Sequence, residues 1–130
     1  MATIFTKIVR GDIPSYKIYE DEHFYAFLDI SPMAKGHTLL IPKKEVDYLF
    51  DLDDAALSEM IVLSKKIAKA IEKVIECNRV GVMVVGLEVP HAHIHLIPIE
   101  SEGDMNLSNK RLKLSKEEFE KIATDIVSFL

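Results

Sequence analysis

The chain has a single cysteine, Cys77, so no internal disulfide can staple it, and a reducing compartment is expected. It has no apolar run long enough to span a membrane. Met1 to Arg10 carries Lys7 and Arg10 instead of the apolar centre of a signal peptide, so a cytoplasmic location without a membrane partner is the expectation. There is no excess of positive charge either. Sixteen Lys and Arg stand against 21 Asp and Glu, a net charge of −5 that argues against a broad nucleic-acid surface. Repeats, low-complexity tracts and linkers are absent, so residues 1–130 read as one domain, with the 48% hydrophobic and 28% charged fractions of an ordinary globular protein.

What the chain does have is histidine in one place. Three of its five histidines fall in Pro90-His91-Ala92-His93-Ile94-His95-Leu96-Ile97-Pro98. On a strand, alternation puts His91, His93 and His95 on one face and Ala92, Ile94 and Leu96 on the other. Proline cannot donate to a ladder, so Pro90 and Pro98 suit the limits of that strand. A helix is a poor reading, because positions i and i+2 do not share a helical face.

The rest of the pattern is that of an α+β fold, with strands in runs and helices inserted between them. Thr3 to Gly11 has the spacing of a short helix ended by glycine. Tyr16–Glu20, His23–Asp29 and His37–Ile41 read as strands, the last stopped by Pro42. Asp53 opens a long helix whose apolar stripe runs through Leu57, Met60, Ile61, Ser64, Ile67, Ala68, Ile71, Val74 and Ile75. Arg79–Val89 reads as a fourth strand leading into the histidines. After a polar irregular stretch over Ser101–Leu114, Ser115-Lys116-Glu117-Glu118 is a capping box that opens a final helix. The expectation is an antiparallel sheet of about five strands with the long helix and the C-terminal helix packed on it.

Three chemistries fit the histidine strand. A merely solvated face would draw on Lys, Glu and Thr more than on histidine. A metal site has imidazole in its favour, but three same-face positions span about 13 Å, so one ion rarely reaches all three. Zinc is therefore not favoured, and no metal ligand is assigned. The third reading is phosphate handling, in which a neutral imidazole is a nucleophile near pH 7 and its neighbours donate to phosphoryl oxygens.

His-x-His-x-His followed by aliphatic residues is the signature of the histidine triad (HIT) family of nucleotide hydrolases and transferases. Other segments resemble that family too: Ile4-Phe5-x-Lys7-Ile8 with Gly11-x-Ile13-Pro14, then Phe27-Leu28-Asp29-Ile30-Ser31-Pro32, then Gly36-His37-Thr38-Leu39-Leu40-Ile41-Pro42-Lys43. The resemblance covers most of residues 3–98 and implies a HIT-like fold. It implies that His93 attacks an α-phosphate and carries a covalent nucleotidyl intermediate, while His95 and His37 contact phosphate oxygens and His91 orients His93. It further implies that Asp29 binds the ribose hydroxyls and that Ile4, Phe5, Ile8, Phe27, Leu28 and Ile30 wall a purine. No cofactor is required, and a homodimer acting on a small purine nucleotide is expected.

The approach to the triad departs from the family. Val84-Val85-Gly86-Leu87-Glu88-Val89-Pro90 is short, and Leu87 stands where a glutamine is usual. Glu88 lies near a position where some members assist the leaving group, and Glu45 stands where many carry a histidine. The missing donors motivate an alternative, a purine-nucleotide binding or signalling module with little turnover.

Overall fold

A computed structural model describes residues 2–130. Five strands form one antiparallel sheet in the order β1-β2-β3-β5-β4. They are β1 (Lys17–Glu20), β2 (Phe24–Leu28), β3 (Thr38–Pro42), β4 (Arg79–Met83) and β5 (Ile94–Ile99). The helices are α1 (Ile4–Arg10), α2 (Asp54–Val74) and α3 (Lys116–Val127). None of the described helices is long and apolar enough to cross a membrane.

Each helix begins where its sequence supplies a cap. The side chains of Thr3, Asp53 and Ser115 accept amide protons from the first turns of α1, α2 and α3, and Glu118 completes a capping box on α3. Gly11, at φ 83°, ends α1 in the left-handed conformation that glycine adopts at least cost.

Alternation along β2 and β3 divides the interior in two. Phe24, Ala26, Leu28 and Leu40 join Ala92, Ile94 and Leu96 under α2 and α3, with Ile67, Ile71 and Ile126 fully buried among them. Tyr25, Phe27, Leu39 and Ile41 face the other way and pack against Phe5 and Ile8 of α1. Phe27, Leu39 and His95 are successive partners across β2, β3 and β5, so they share this second face. The long helices thus cover one face, and the smaller core under α1 supports the histidines on the other.

Several expectations are corrected. Ladder pairing of β5 begins at Ile94 and includes Pro98, which lies beyond β3's last partner, Leu96, and is flanked by β4 alone. His91 to His93 precede the ladder, although the alternation of faces holds. The fourth strand stops at Met83, and the chain leaves the sheet before Gly86, whose φ is 74°. On α2, Ile61 is 48% exposed, and Leu63 and Ala70 are buried in its place. The stripe is rotated toward the sheet relative to the sequence reading. The stretch after β5 holds a 3-10 turn, Glu102–Met105, closed by its own capping box on Ser101 and Asp104.

The loop that delivers His37 turns on Gly36. Its φ is 90°, and a Cβ there would lie 2.9 Å from Ile75 Cγ1. Gly36→Ala is expected to destabilise the fold by about 1–2 kcal/mol or more, read as a lower urea midpoint with an unchanged slope.

Candidate active site

The four histidines of the motifs come together on the α1 side of the sheet. His37 and His91 have no exposed surface, whereas His93 and His95 keep 7% and 8%. Only the latter two rings can meet a ligand without rearrangement. The His93 and His95 ring centroids are 4.9 Å apart, and those of His37 and His95 are 5.2 Å apart. Phe5 packs edge-on against Phe27, His91 and His93, with centroids at 5.6, 5.6 and 5.1 Å.

The hydrogen bonds assign the ring protons. A carbonyl oxygen can only accept, so His91 Nε2–H donates to Pro42 O at 2.7 Å. His91 Nδ1 then accepts from the Thr3 hydroxyl, also at 2.7 Å. By the same logic His93 Nδ1–H donates to His91 O at 2.8 Å. A neutral His93 therefore carries its lone pair on Nε2, the atom away from the backbone.

A second chain of bonds runs through the other pair. The Met33 amide donates to His37 Nδ1 at 3.0 Å, which leaves the His37 proton on Nε2. That proton goes to His95 Nδ1, 3.0 Å away. His95 must then carry its own proton on Nε2, as a donor. One ring offers a lone pair and its neighbour an N–H, a pairing suited to attack on phosphorus with an oxygen held beside it.

Burial keeps the His37 and His95 rings uncharged at neutral pH. It is the largest influence on His37, pushed down to about 3, and on His95, pushed down to about 4. Charges of neighbouring rings and of Arg111 push both in the same direction. His91 is also lowered, again chiefly by burial. Burial raises Asp29 above the usual carboxylate range, against the amide of Ser31 and the charge of Arg111, which lower it.

Asp29 does two things. Its Oδ1 accepts the Ser31 amide at 2.8 Å, an ordinary turn bond, while its Oδ2 lies 3.7 Å from His37 Nε2. Ligand atoms of Asp29, His37 and His95 lie within 4.8 Å of one another, a set that invites comparison with a metal site. The donor chemistry does not fit. Met33 fixes the His37 proton on Nε2, the atom that would have to offer a lone pair to the ion.

The other expected residues divide. Phe5, Ile8 and Phe27 line the small core behind the histidines. Ile4 and Ile30 are 50% and 70% exposed, free to meet a ligand at the rim. Leu28 is a correction: it points into the core under the long helices, because neighbours on a strand face opposite ways. Two residues went unassigned in the sequence. Arg111 donates to Ser31 O at 2.8 Å, and Glu45 accepts the Thr3 amide at 2.7 Å and the Thr6 hydroxyl.

The buried neutral rings make stability depend on pH. In the unfolded chain His37 and His95 return to the ordinary 6.5, and there they bind protons that the folded rings refuse. Stability is complete above about 6.5 and is lost as pH falls toward 4 and then 3. Urea melts at pH 7 and pH 5 are expected to differ by up to about 2 kcal/mol for each ring, and His37→Gln to flatten the difference.

The HIT domain matches residues 10–102 of the chain. "Protein hit" of Bacillus subtilis is 43% identical over 78% of this chain and 73% of its own length. The adenosine 5'-monophosphoramidase of Saccharomyces cerevisiae is 41% identical over 78% of this chain and 65% of its own. Among solved structures, a Hit-like protein involved in cell-cycle regulation from Bartonella henselae superposes with a TM-score of 0.85 at 37% identity, covering 98% of this chain and 96% of that one. A Zn-bound histidine triad family protein from Mycobacterium smegmatis gives 0.80 at 30%, covering 98% and 95%. Likeness over nearly the whole length, together with the histidine cluster in place, makes this chain a member of the histidine triad (HIT) family.

Proposed function

We propose that the chain is a nucleotide hydrolase that cleaves at the α-phosphate of a nucleoside phosphoramidate or a related nucleotide ester or anhydride. The observation that carries this reading is the bond from His93 Nδ1–H to His91 O, which leaves Nε2 as the nucleophilic atom. Relatives named adenosine 5'-monophosphoramidase, from Saccharomyces cerevisiae and Schizosaccharomyces pombe, support the substrate class.

In the first step His93 Nε2 bonds to the α-phosphorus as the phosphorus–nitrogen bond of the substrate breaks. The departing amine takes a proton from the medium. The positive charge left on the ring is spread toward Nδ1–H and stabilised by the His91 carbonyl dipole. His95 Nε2–H holds a phosphoryl oxygen, and His37 keeps that donor aimed. In the second step a water oxygen bonds to phosphorus and gives up a proton to the medium, the His93–phosphorus bond breaks with its electron pair returning to Nε2, and the nucleoside monophosphate leaves. Asp29 takes the ribose hydroxyls, while Ile4 and Ile30 wall the purine, backed by Phe5, Ile8 and Phe27. No metal or cofactor is required in this scheme.

A second reading, a purine-nucleotide binding or signalling module, draws on the segment before the triad. Leu87 is 89% exposed and Glu88 is exposed as well, so neither brings a donor to the histidines. Turnover of adenosine phosphoramidate separates the two. Wild-type turnover with a loss of about a thousandfold or more in His93→Ala, adenosine monophosphate binding being kept, is expected for the enzyme. Tight binding of adenosine monophosphate by a wild type that turns nothing over supports the module. A His93→Ala protein that still turns over removes the proposed mechanism.

A homodimer belongs to the same proposal. β4 is an edge strand, and Val82, Val84 and Val85 on and just after it are 57%, 41% and 43% exposed. Sedimentation is expected to give twice the chain mass, and Val82→Glu to return the monomer.

A further inference from the structure

We propose that Arg111 is the cationic contact of the nucleotide site, donating N–H groups to the anionic oxygens of a phosphate held at His93 and His95. This rests on the nucleotide reading above and adds to it a residue beyond the stretch matched to the family, 10–102.

The C-terminal segment folds back over the loop that follows Asp29. Leu112 N–H donates to Pro32 O at 2.9 Å, and Arg111 Nη1 donates to Ser31 O at 2.8 Å. Ser31 is itself tied to Asp29 Oδ1, and Asp29 Oδ2 lies 3.7 Å from His37 Nε2. The guanidinium is thereby fixed on the loop that carries Asp29, and its charge acts on Asp29, His37 and His95. It is half-buried, forms that one hydrogen bond, and pairs with no carboxylate among the described residues. A guanidinium has five N–H donors in a fork that matches phosphate oxygens, and most of these are unused.

The charge balance gives the fork its purpose. Burial leaves His37 and His95 without charge at neutral pH, so these two rings supply direction but no net positive potential. Asp29 adds a carboxylate to the same group. A phosphate entering such a site meets repulsion unless a fixed cation offsets it. Arg111 is the guanidinium whose charge reaches Asp29, His37 and His95 alike. Arginine stays protonated even when its surroundings disfavour charge, which suits it to this place better than another histidine.

The test is calorimetric binding of 5'-adenosine monophosphate and of adenosine to the wild type, Arg111→Gln and Arg111→Lys, each shown folded by a thermal melt. The Gln variant is expected to bind the monophosphate about ten- to a hundredfold more weakly, with adenosine affinity unchanged. The Lys variant, which keeps the charge and loses the fork, is expected to fall between. If the Gln variant does not fold, the Lys variant decides by the same ratio. Equal losses for both ligands would mean that Arg111 only straps the loop, and no loss for either would mean that it is idle; both overturn the proposal while leaving the nucleotide reading intact. A wild type that binds neither ligand removes the nucleotide reading, and this one with it.

Discussion

A neutral imidazole has one proton for two nitrogens, and the partner facing one nitrogen decides what the other can do. For His93 that partner is the carbonyl of His91, which can only accept. The carbonyl is held still because the His91 ring is fully buried and bonded at both nitrogens, to Thr3 and to Pro42 O. A carboxylate in the carbonyl's place would select the same tautomer, but it would bring a second full negative charge to a cluster that already holds Asp29. A peptide dipole selects the tautomer without that repulsion.

The two hydrogen-bonded chains in the site run in complementary senses. One ends in a lone pair on His93. The other starts at the Met33 amide, passes through His37, and ends in an N–H on His95. Each bond in such a chain polarises the next, and the low dielectric around fully buried rings strengthens the effect. Burial that would be costly for imidazolium is therefore useful for imidazole, since it removes the competing protonation state. What burial cannot supply is positive charge, and a guanidinium charge that acts on Asp29, His37 and His95 comes from Arg111, outside the motifs.

Much of this was legible in the sequence, and the failures have physical causes. Period-two alternation correctly put Ala92, Ile94 and Leu96 on the core face opposite the histidines, because faces follow from local geometry. It did not tell where ladder pairing begins, since His91 to His93 are held by the Ala92 amide on Val46 O and by ring bonds instead of a neighbouring strand. The same alternation argues against Leu28 as a ligand residue once Phe27 is placed on the site face. Arg111 is different. It touches Ser31 across 80 residues of chain, and no local pattern encodes a contact at that separation.

Glu45 shows how a departure from a family pattern can be absorbed. It is exposed, and screening by water leaves little of its Coulomb attraction to anything buried. Its hydrogen bonds still have direction. It accepts the Thr3 amide and the Thr6 hydroxyl, and so ties down the first turn of α1 from 42 residues away. That turn carries Thr3, whose hydroxyl donates to His91 Nδ1, and Phe5, whose ring packs edge-on against both His91 and His93. The carboxylate therefore acts on His93 through the helix it anchors, and the position can change chemical type as long as whatever occupies it still holds α1 against the carbonyl that orients the His93 ring.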